Sequence, residues 1–148
     1  MVRFFCPGCW RDFGDDFDRC PKCGLDVRQF WASKDYVELL VVALHHPEKS
    51  TPIRAASILG KLKDPRAVKP LIDLIETTQD VYLIVEAVKA LGEIGTDEAI
   101  TSLEALRKHR ARMVRDAVRW VLDRIAAEPS RRENKKQARE NSLRTIGS

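Results

Sequence analysis

After Cys23 the chain contains no cysteine, whereas four stand before it, at positions 6, 9, 20 and 23. Aromatic residues make up only 7%, and histidine occurs three times, as His45, His46 and His109. The longest apolar run, Leu39 to Leu44, is far shorter than a membrane-crossing helix requires. MVRFFCPG offers no apolar segment of the kind a secretory signal needs. No Gly-rich phosphate loop, nucleophile motif or His-rich metal motif is found. These scarcities argue against a membrane span, a secreted disulfide scaffold and catalysis by a side-chain nucleophile. The expectation is a soluble, cytoplasmic protein that is not an enzyme and has no membrane partner. His45-His46-Pro47 reads as the end of a helix, where a cation suits the dipole.

The 148 residues are 44% apolar and 32% charged, which suits one compact unit or a small module joined to a larger one. The net charge of +4 hides an asymmetry. Residues 1–106 carry 13 Lys/Arg against 17 Asp/Glu, and residues 107–148 carry 13 against 5. So polarised a chain can meet an acidic partner at one end only.

The cysteines form two short motifs, CPGC and CPKC, separated by ten residues. In a reducing cytosol such pairs are metal ligands sooner than disulfides. A Cys-Pro-x-Cys turn directs both sulfurs, and some of its own amides, to one point. Gly24 can supply the positive φ such a turn needs. Sulfurs from Cys6, Cys9, Cys20 and Cys23 then close a tetrahedral shell with no position left for water, the structural zinc pattern. One structural zinc ion is expected, with rubredoxin-like iron and, further off, disulfide pairing as alternatives. Residues 4–27 resemble the short zinc-ribbon family, with Trp10 standing where the first knuckle often has glycine. Gly14-Asp15-Asp16 is expected to turn a short hairpin, with Trp10, Phe13 and Phe17 as local core. Asp12, Asp15, Asp16 and Asp18 outnumber Arg11 and Arg19 there, which opposes a phosphate backbone. So small a ribbon takes much of its folding free energy from the metal.

From Ser33 the sequence repeats. Residues 53–74 and 85–106 align at an offset of 32: Ala55 with Ala87, Leu59-Gly60 with Leu91-Gly92, Val68 with Ile100, Leu71 with Leu103. A third copy of the second helix, residues 115–125, aligns at an offset of 30, placing Ala117 and Val121 with Ala87 and Leu91. Upstream, Tyr36, Leu39 and Val42 fall in register with Val68, Leu71 and Leu74. Ser33, Thr51, Asp64, Asp80 and Thr96 stand where N-caps belong, and Pro52 and Pro65 at first helical positions. The reading is a mostly α protein: a short α-solenoid of three helical hairpins, 33–63, 64–95 and 96–126, behind a small N-terminal ribbon. The expected domains are 1–30, 31–127 and a basic, flexible tail, 128–148. The stretch around Leu59-Gly60 and Leu91-Gly92 resembles the HEAT-like repeats of phycobilisome-lyase-type proteins. That resemblance implies a binding scaffold, with the second helices lining the partner-binding face.

Both ends of the solenoid look specially finished. Val37, Val41 and Leu44 form an apolar stripe absent from later copies, and Phe30, Trp31 and the ribbon are expected to cover it as a cap. Gly60 and Gly92 allow the next hairpin close approach. The last copy has Leu122 at that place, and Trp120 where Ile58 and Ala90 stand, both expected to fill the last core layer. The alternative is an apolar end open to a partner or a second copy.

Polar positions on the second helices form three ladders, Arg54/Glu86/Asp116, Ser57/Lys89/Arg119 and Lys61/Glu93/Asp123. Two of the three mix signs, which suits a protein partner better than a phosphate track. The basic feature is RKHRARMVR, residues 107–115. Arg107, Lys108, Arg110, Arg112 and Arg115, with Arg119 and Trp120, are the candidate partner-binding residues. The leading expectation is an adaptor that binds another protein. The alternative is nucleic acid or the ribosome, held by the basic ridge and tail. An accessory subunit of a modifying enzyme rests on the family resemblance alone.

Overall fold

The computed structural model describes residues 2–128, 137 and 139–144. Most of the expected basic tail therefore lies outside the described residues. The chain opens with two strands, β1 (Phe4–Phe5) and β2 (Asp12–Phe13), paired antiparallel with Phe4 opposite Phe13. Seven helices follow between residues 27 and 127: α1 (Val27–Ala32), α2 (Tyr36–Ala43), α3 (Ser50–Leu62), α4 (Val68–Thr77), α5 (Val81–Ile94), α6 (Asp97–Ala105) and α7 (Arg112–Ala127), and residues 139–144 are helical as well. A 3₁₀ turn over Pro65–Ala67 leads into α4, and another over Leu106–Lys108 follows α6.

Helices α1, α2, α5 and α6, and the turn before α4, begin where side chains satisfy their free amides. Asp80 accepts from Tyr82 and Leu83, Thr96 from Ala99, and Asp64 from Arg66. Two expected caps are corrected. Ser33 closes α1, its N–H donating to Gln29 and Trp31 carbonyls, and Asp35 starts α2. Asp35 prevails because Glu38 returns a bond to its backbone N–H, a reciprocal box. Thr51 is no cap either: α3 begins at Ser50, and Pro52 lies within the first turn, where its missing N–H costs little.

The helices pair in sequence and stack as a solenoid. α2 packs on α3, α4 on α5 and α6 on α7; α3 packs on α5 and α5 on α7. One apolar cluster runs through all of them, with Leu44, Leu59, Leu71, Leu91, Leu103, Val114 and Val118 fully enclosed. Gly60 and Gly92 make the stacking tight. A Cβ on Gly60 would lie 2.8 Å from Ala90 Cα, and one on Gly92 would overlap Val121 Cγ1.

Those two contacts fix the register, and they correct the alignment of both ends. Since Gly60 faces Ala90 and Gly92 faces Val121, Val121 holds on α7 the place of Ala90 on α5. The structural offset there is one residue longer than the sequence alignment at 30 gave. Trp120 is therefore not core: it is 53% exposed, while Leu122 is buried. A Trp ring cannot occupy the space an alanine has over a glycine, so α7 is turned to present Val121 instead. At the other end Val37, Leu40 and Leu44 are buried, and Tyr36 and Leu39 are not. This places Val37 and Leu40 with Val68 and Leu71. The stripe of Val37, Val41 and Leu44 is thus ordinary solenoid core and not a surface awaiting a cap.

Candidate functional site

The N-terminal cysteine module has its own small apolar cluster, Cys6, Cys20 and Val27 with Cys9, Phe13, Phe17 and Leu25 packed against them. The Phe13 and Phe17 rings meet edge to face at 4.7 Å. The two cysteine turns are built alike. Cys6 N–H donates to Arg11 O and Trp10 N–H to Cys6 O; Cys20 N–H donates to Leu25 O and Gly24 N–H to Cys20 O. β1 and β2 close around the first turn, and an antiparallel bridge between Arg19 and Asp26 closes around the second. The hairpin therefore turns at the first cysteine pair and not at Gly14-Asp15-Asp16. The Cys6–Cys9 turn already reverses the chain between Phe5 and Asp12, so no other reversal is needed.

The geometry brings all four sulfurs together. Each Sγ lies within 4.8 Å of the others, with Cys6–Cys23 at 3.6 Å and Cys9–Cys20 at 3.7 Å. A disulfide would need about 2.05 Å. Four sulfurs at bonds of about 2.3 Å around one tetrahedral ion stand roughly 3.8 Å apart. The set can therefore hold a metal ion. Amides already point at the sulfurs: Gly8 N–H at Cys6 Sγ (3.4 Å), Lys22 and Cys23 N–H at Cys20 Sγ (3.4 and 3.5 Å). Burial pushes the Cys6 thiol up to about 12, and its neighbours Cys20 and Cys23 add to the rise against the amides of Cys9 and Gly8. For Cys20 burial acts the same way, but the amides of Cys23 and Lys22 and the thiols of Cys6 and Cys23 overcome it and bring it down to about 6. A Cys20 thiolate is thus favoured before any ion arrives, whereas Cys6 needs the ion's charge.

His46 joins this module to the solenoid. Its ring lies edge to face against Phe5 at 4.6 Å and against Trp10 at 5.4 Å. Its Nδ1 accepts from Glu48 N–H at 3.1 Å, which fixes the ring in the loop between α2 and α3. Trp10 is therefore the module's contact outward and not part of its core. His46 carried no such signal in the sequence, since a histidine after a helix end is ordinary. The loop also borders an open cleft of about 350 Å³, lined by Leu44, His45, Lys49, Thr77 and Asp80 among others.

The basic stretch is not one uniform ridge. Arg107 and Lys108 lie in the 3₁₀ turn, Arg110 in the following loop, and Arg112, Arg115, Arg119 and Trp120 on α7. Arg107 is paired with Glu104, Arg112 with Asp116 at 3.6 Å, and Arg110 is hydrogen-bonded to Gln79. Arg115 is half-buried and donates to the carbonyls of His109 and Arg110, each at 2.8 Å. Lys108 and Arg119 have no ion-pair partner among the described residues. Arg124 stacks its guanidinium over the Trp120 ring at 4.7 Å.

The register fixed by Gly92 and Val121 also moves the last rung of each polar ladder. The column Tyr82, Glu86, Lys89, Glu93 on α5 continues as Met113, Ala117, Trp120, Arg124 on α7. Arg112, Asp116, Arg119 and Asp123 instead take the places of Val81, Val85, Val88 and Gly92, the side of α5 that packs on the next helix. The end of the solenoid is thus covered by charge, and the apolar residues stand on the face of the second helices. No helix among the described residues is long and apolar enough to cross a membrane.

Residues 37–123, more than half of the chain, match the family model described as HEAT repeats. None of the curated proteins searched matches the chain. The stacked hairpins and this match agree in extent and kind: the chain belongs to the HEAT repeat family.

Proposed function

We propose that the protein is a non-enzymatic adaptor, in which a zinc-bound ribbon precedes a HEAT solenoid that binds a protein partner. HEAT repeats usually serve as interaction scaffolds, and the observation that carries the reading is the exposed face of the second helices. There Arg54, Lys61, Glu86 and Lys89 mix signs, and Glu86 is paired with Lys89 at 3.5 Å. Such a face suits the polar rim of a protein interface and opposes a continuous phosphate track.

The proposed metal is one structural zinc ion on Cys6, Cys9, Cys20 and Cys23. The likeness of residues 4–27 to short zinc ribbons and the closed sulfur shell support zinc over iron. The ion's chemistry there is structural: it draws four thiolates into one cluster and holds both turns. A reducing, cytoplasmic setting suits free thiolates. The proposed domains are a ribbon over 1–30, a repeat region over 31–127 and the tail after it; α1 runs across the first boundary. The repeat likeness to phycobilisome-lyase-type proteins also leaves room for an accessory subunit of a modifying enzyme.

The test is binding by the full chain. Partner capture that is lost in Lys61→Glu/Lys89→Glu, with unchanged helix content, supports the adaptor reading. Salt-dependent binding to mixed RNA and DNA that is lost in Lys108→Ala/Arg119→Ala favours the nucleic-acid reading instead. No binding to nucleic acid at low salt eliminates the latter.

A further inference from the structure

We infer that Tyr82, Met113 and Trp120 form the apolar seat of the partner-binding face, shaped for an amphipathic, acidic helix of another protein. This rests on the adaptor reading above and names the place and the kind of partner.

Besides Tyr36 and Leu62, the large apolar residues left exposed on helices α2 to α7 are Tyr82, Met113 and Trp120, at 68%, 47% and 53%. They are not scattered. Met113 holds on α7 the place of Tyr82 on α5, one packed-helix spacing away, about 8–10 Å. Trp120 stands seven residues beyond Met113 on the same face of α7, a rise of about 10 Å. Ala117 lies between them and leaves the strip free of bulk. Met, Tyr, Trp and Arg are the residues that anchor interfaces. Arg124, stacked on Trp120, holds the ring's plane and keeps its own N–H groups available for a carboxylate.

Charge decides what sits there. Around the seat, Arg54, Lys61 and Arg124 have no carboxylate partner among the described residues. Of the two acids on the same face, Glu86 is tied to Lys89 and Glu93 is half-buried beside Gly60. The face is left with unpaired positive charge beside apolar anchors. A helix with apolar residues two turns apart, flanked by Asp or Glu, complements both features. A second copy of this chain is a poorer fit, because its solenoid end is covered by Arg112, Asp116, Arg119 and Asp123. A phosphate chain is opposed by those same acids and by Glu86 and Glu93.

The probe is a synthetic amphipathic peptide with leucines at i, i+4 and i+7 and glutamates on both flanks. Met113 and Met1 are the only methionines, so a ¹³C label on the methionine methyl reports the seat directly. The expected result is a saturable shift of the Met113 methyl signal. Trp120→Ala should weaken binding about tenfold or more, with helix content unchanged. Arg124→Glu should weaken the glutamate peptide and strengthen the same peptide carrying lysines. The proposal is overturned by no Met113 shift, by equal binding of glutamate and lysine peptides, or by a shift with oligouridylate and none with the peptide. A protein captured by the wild type and still captured by Trp120→Ala overturns the seat while leaving the adaptor reading intact. Loss of all protein capture by the wild type defeats the adaptor reading itself.

Discussion

Trp10 and Lys63 are the non-glycine residues with positive φ among the described ones, at 56° and 53°. Each has a glycine counterpart one internal repeat away: Gly24 (φ 76°) after the second cysteine pair, and Gly95 (φ 65°) after α5. The backbone demands the same conformation at both members of each pair, so the side chains stand there at a cost. A left-handed non-glycine residue costs about 1–2 kcal/mol. Trp10 offsets it with its edge contact on His46, since an aromatic pair contributes roughly 0.5–1.5 kcal/mol. Trp10→Ala keeps the strain and loses the contact, whereas Trp10→Gly loses the contact but relieves the strain. Trp10→Ala should thus be the less stable of the two by about 1 kcal/mol in chemical denaturation of the metal-loaded protein. Lys63 has no such compensating contact. Lys63→Gly should raise the melting temperature, by a stabilisation of about 0.5–1 kcal/mol, and Gly95→Ala should lower it.

The tight packing of α3, α5 and α7 depends on the two glycines, but not equally. At Gly60 the obstacle is backbone, Ala90 Cα at 2.8 Å, so Gly60→Ala must push two helices apart. The loss should be about 1–3 kcal/mol, and Ala90→Gly should not restore it. At Gly92 the obstacle is a Val121 methyl, so Gly92→Ala/Val121→Ala should be more stable than the sum of the single losses requires. Neighbouring hairpins are also tied across their loops. Arg66 bonds Asp64 at 2.9 Å and reaches Asp35, the cap of α2, at 2.6 Å. Hydrogen bonds from Arg66 lead the causes that hold both carboxyls below the usual range. A depressed carboxylate pKa stabilises the folded chain above the unfolded value and loses that effect as pH falls through the folded one. The melting difference between wild type and Arg66→Gln should therefore be full at neutral pH, begin to shrink below about pH 4, and vanish only as pH falls through the lower folded pKa values. Following helix signal separates this from metal loss, which low pH also causes.

The described residues form two apolar clusters and not one, joined by the aromatic contacts of His46 with Phe5 and Trp10. Chelation, or Cys20→Ser with Cys23→Ser, should unfold the small cluster outright, since the proposed ion would substitute for a core there. The helical transition should fall by only a few degrees, because it loses two aromatic contacts and none of Val37, Val41 or Leu44. A fall as large as that of a core mutation would mean that the cysteine module covers solenoid core after all. His46→Ala should abolish the difference in helical melting between metal-loaded and chelated protein. The charged end formed by Arg112, Asp116, Arg119 and Asp123 opposes end-to-end stacking of solenoids, as a terminal repeat with a polar outer face does.

Much of this was legible in the residues themselves. Cysteine spacing implied the four-sulfur cluster, since the two turns bring their own sulfurs and amides together over a few residues. Apolar periodicity, Asp80, Thr96, Gly60 and Gly92 implied the helices and their close stacking, which are local or single-contact properties. What needed the tertiary structure was the register of the first and last hairpins and everything that hangs on it. A one-residue shift around a helix turns each side chain by about 100°. Such a shift exchanges core for surface while leaving the apolar pattern nearly as well satisfied. That is why Val37 and Leu44 read as a stripe to be covered, Trp120 as core and Asp116 as a ladder rung. Likewise, a run of arginines says nothing about Glu104, Gln79 or the His109 carbonyl that occupy them. The sequence determined that the chain has a four-cysteine front that can hold a metal ion and a stacked helical body. Only three-dimensional packing decided which face each residue serves, because that depends on which neighbour a glycine admits.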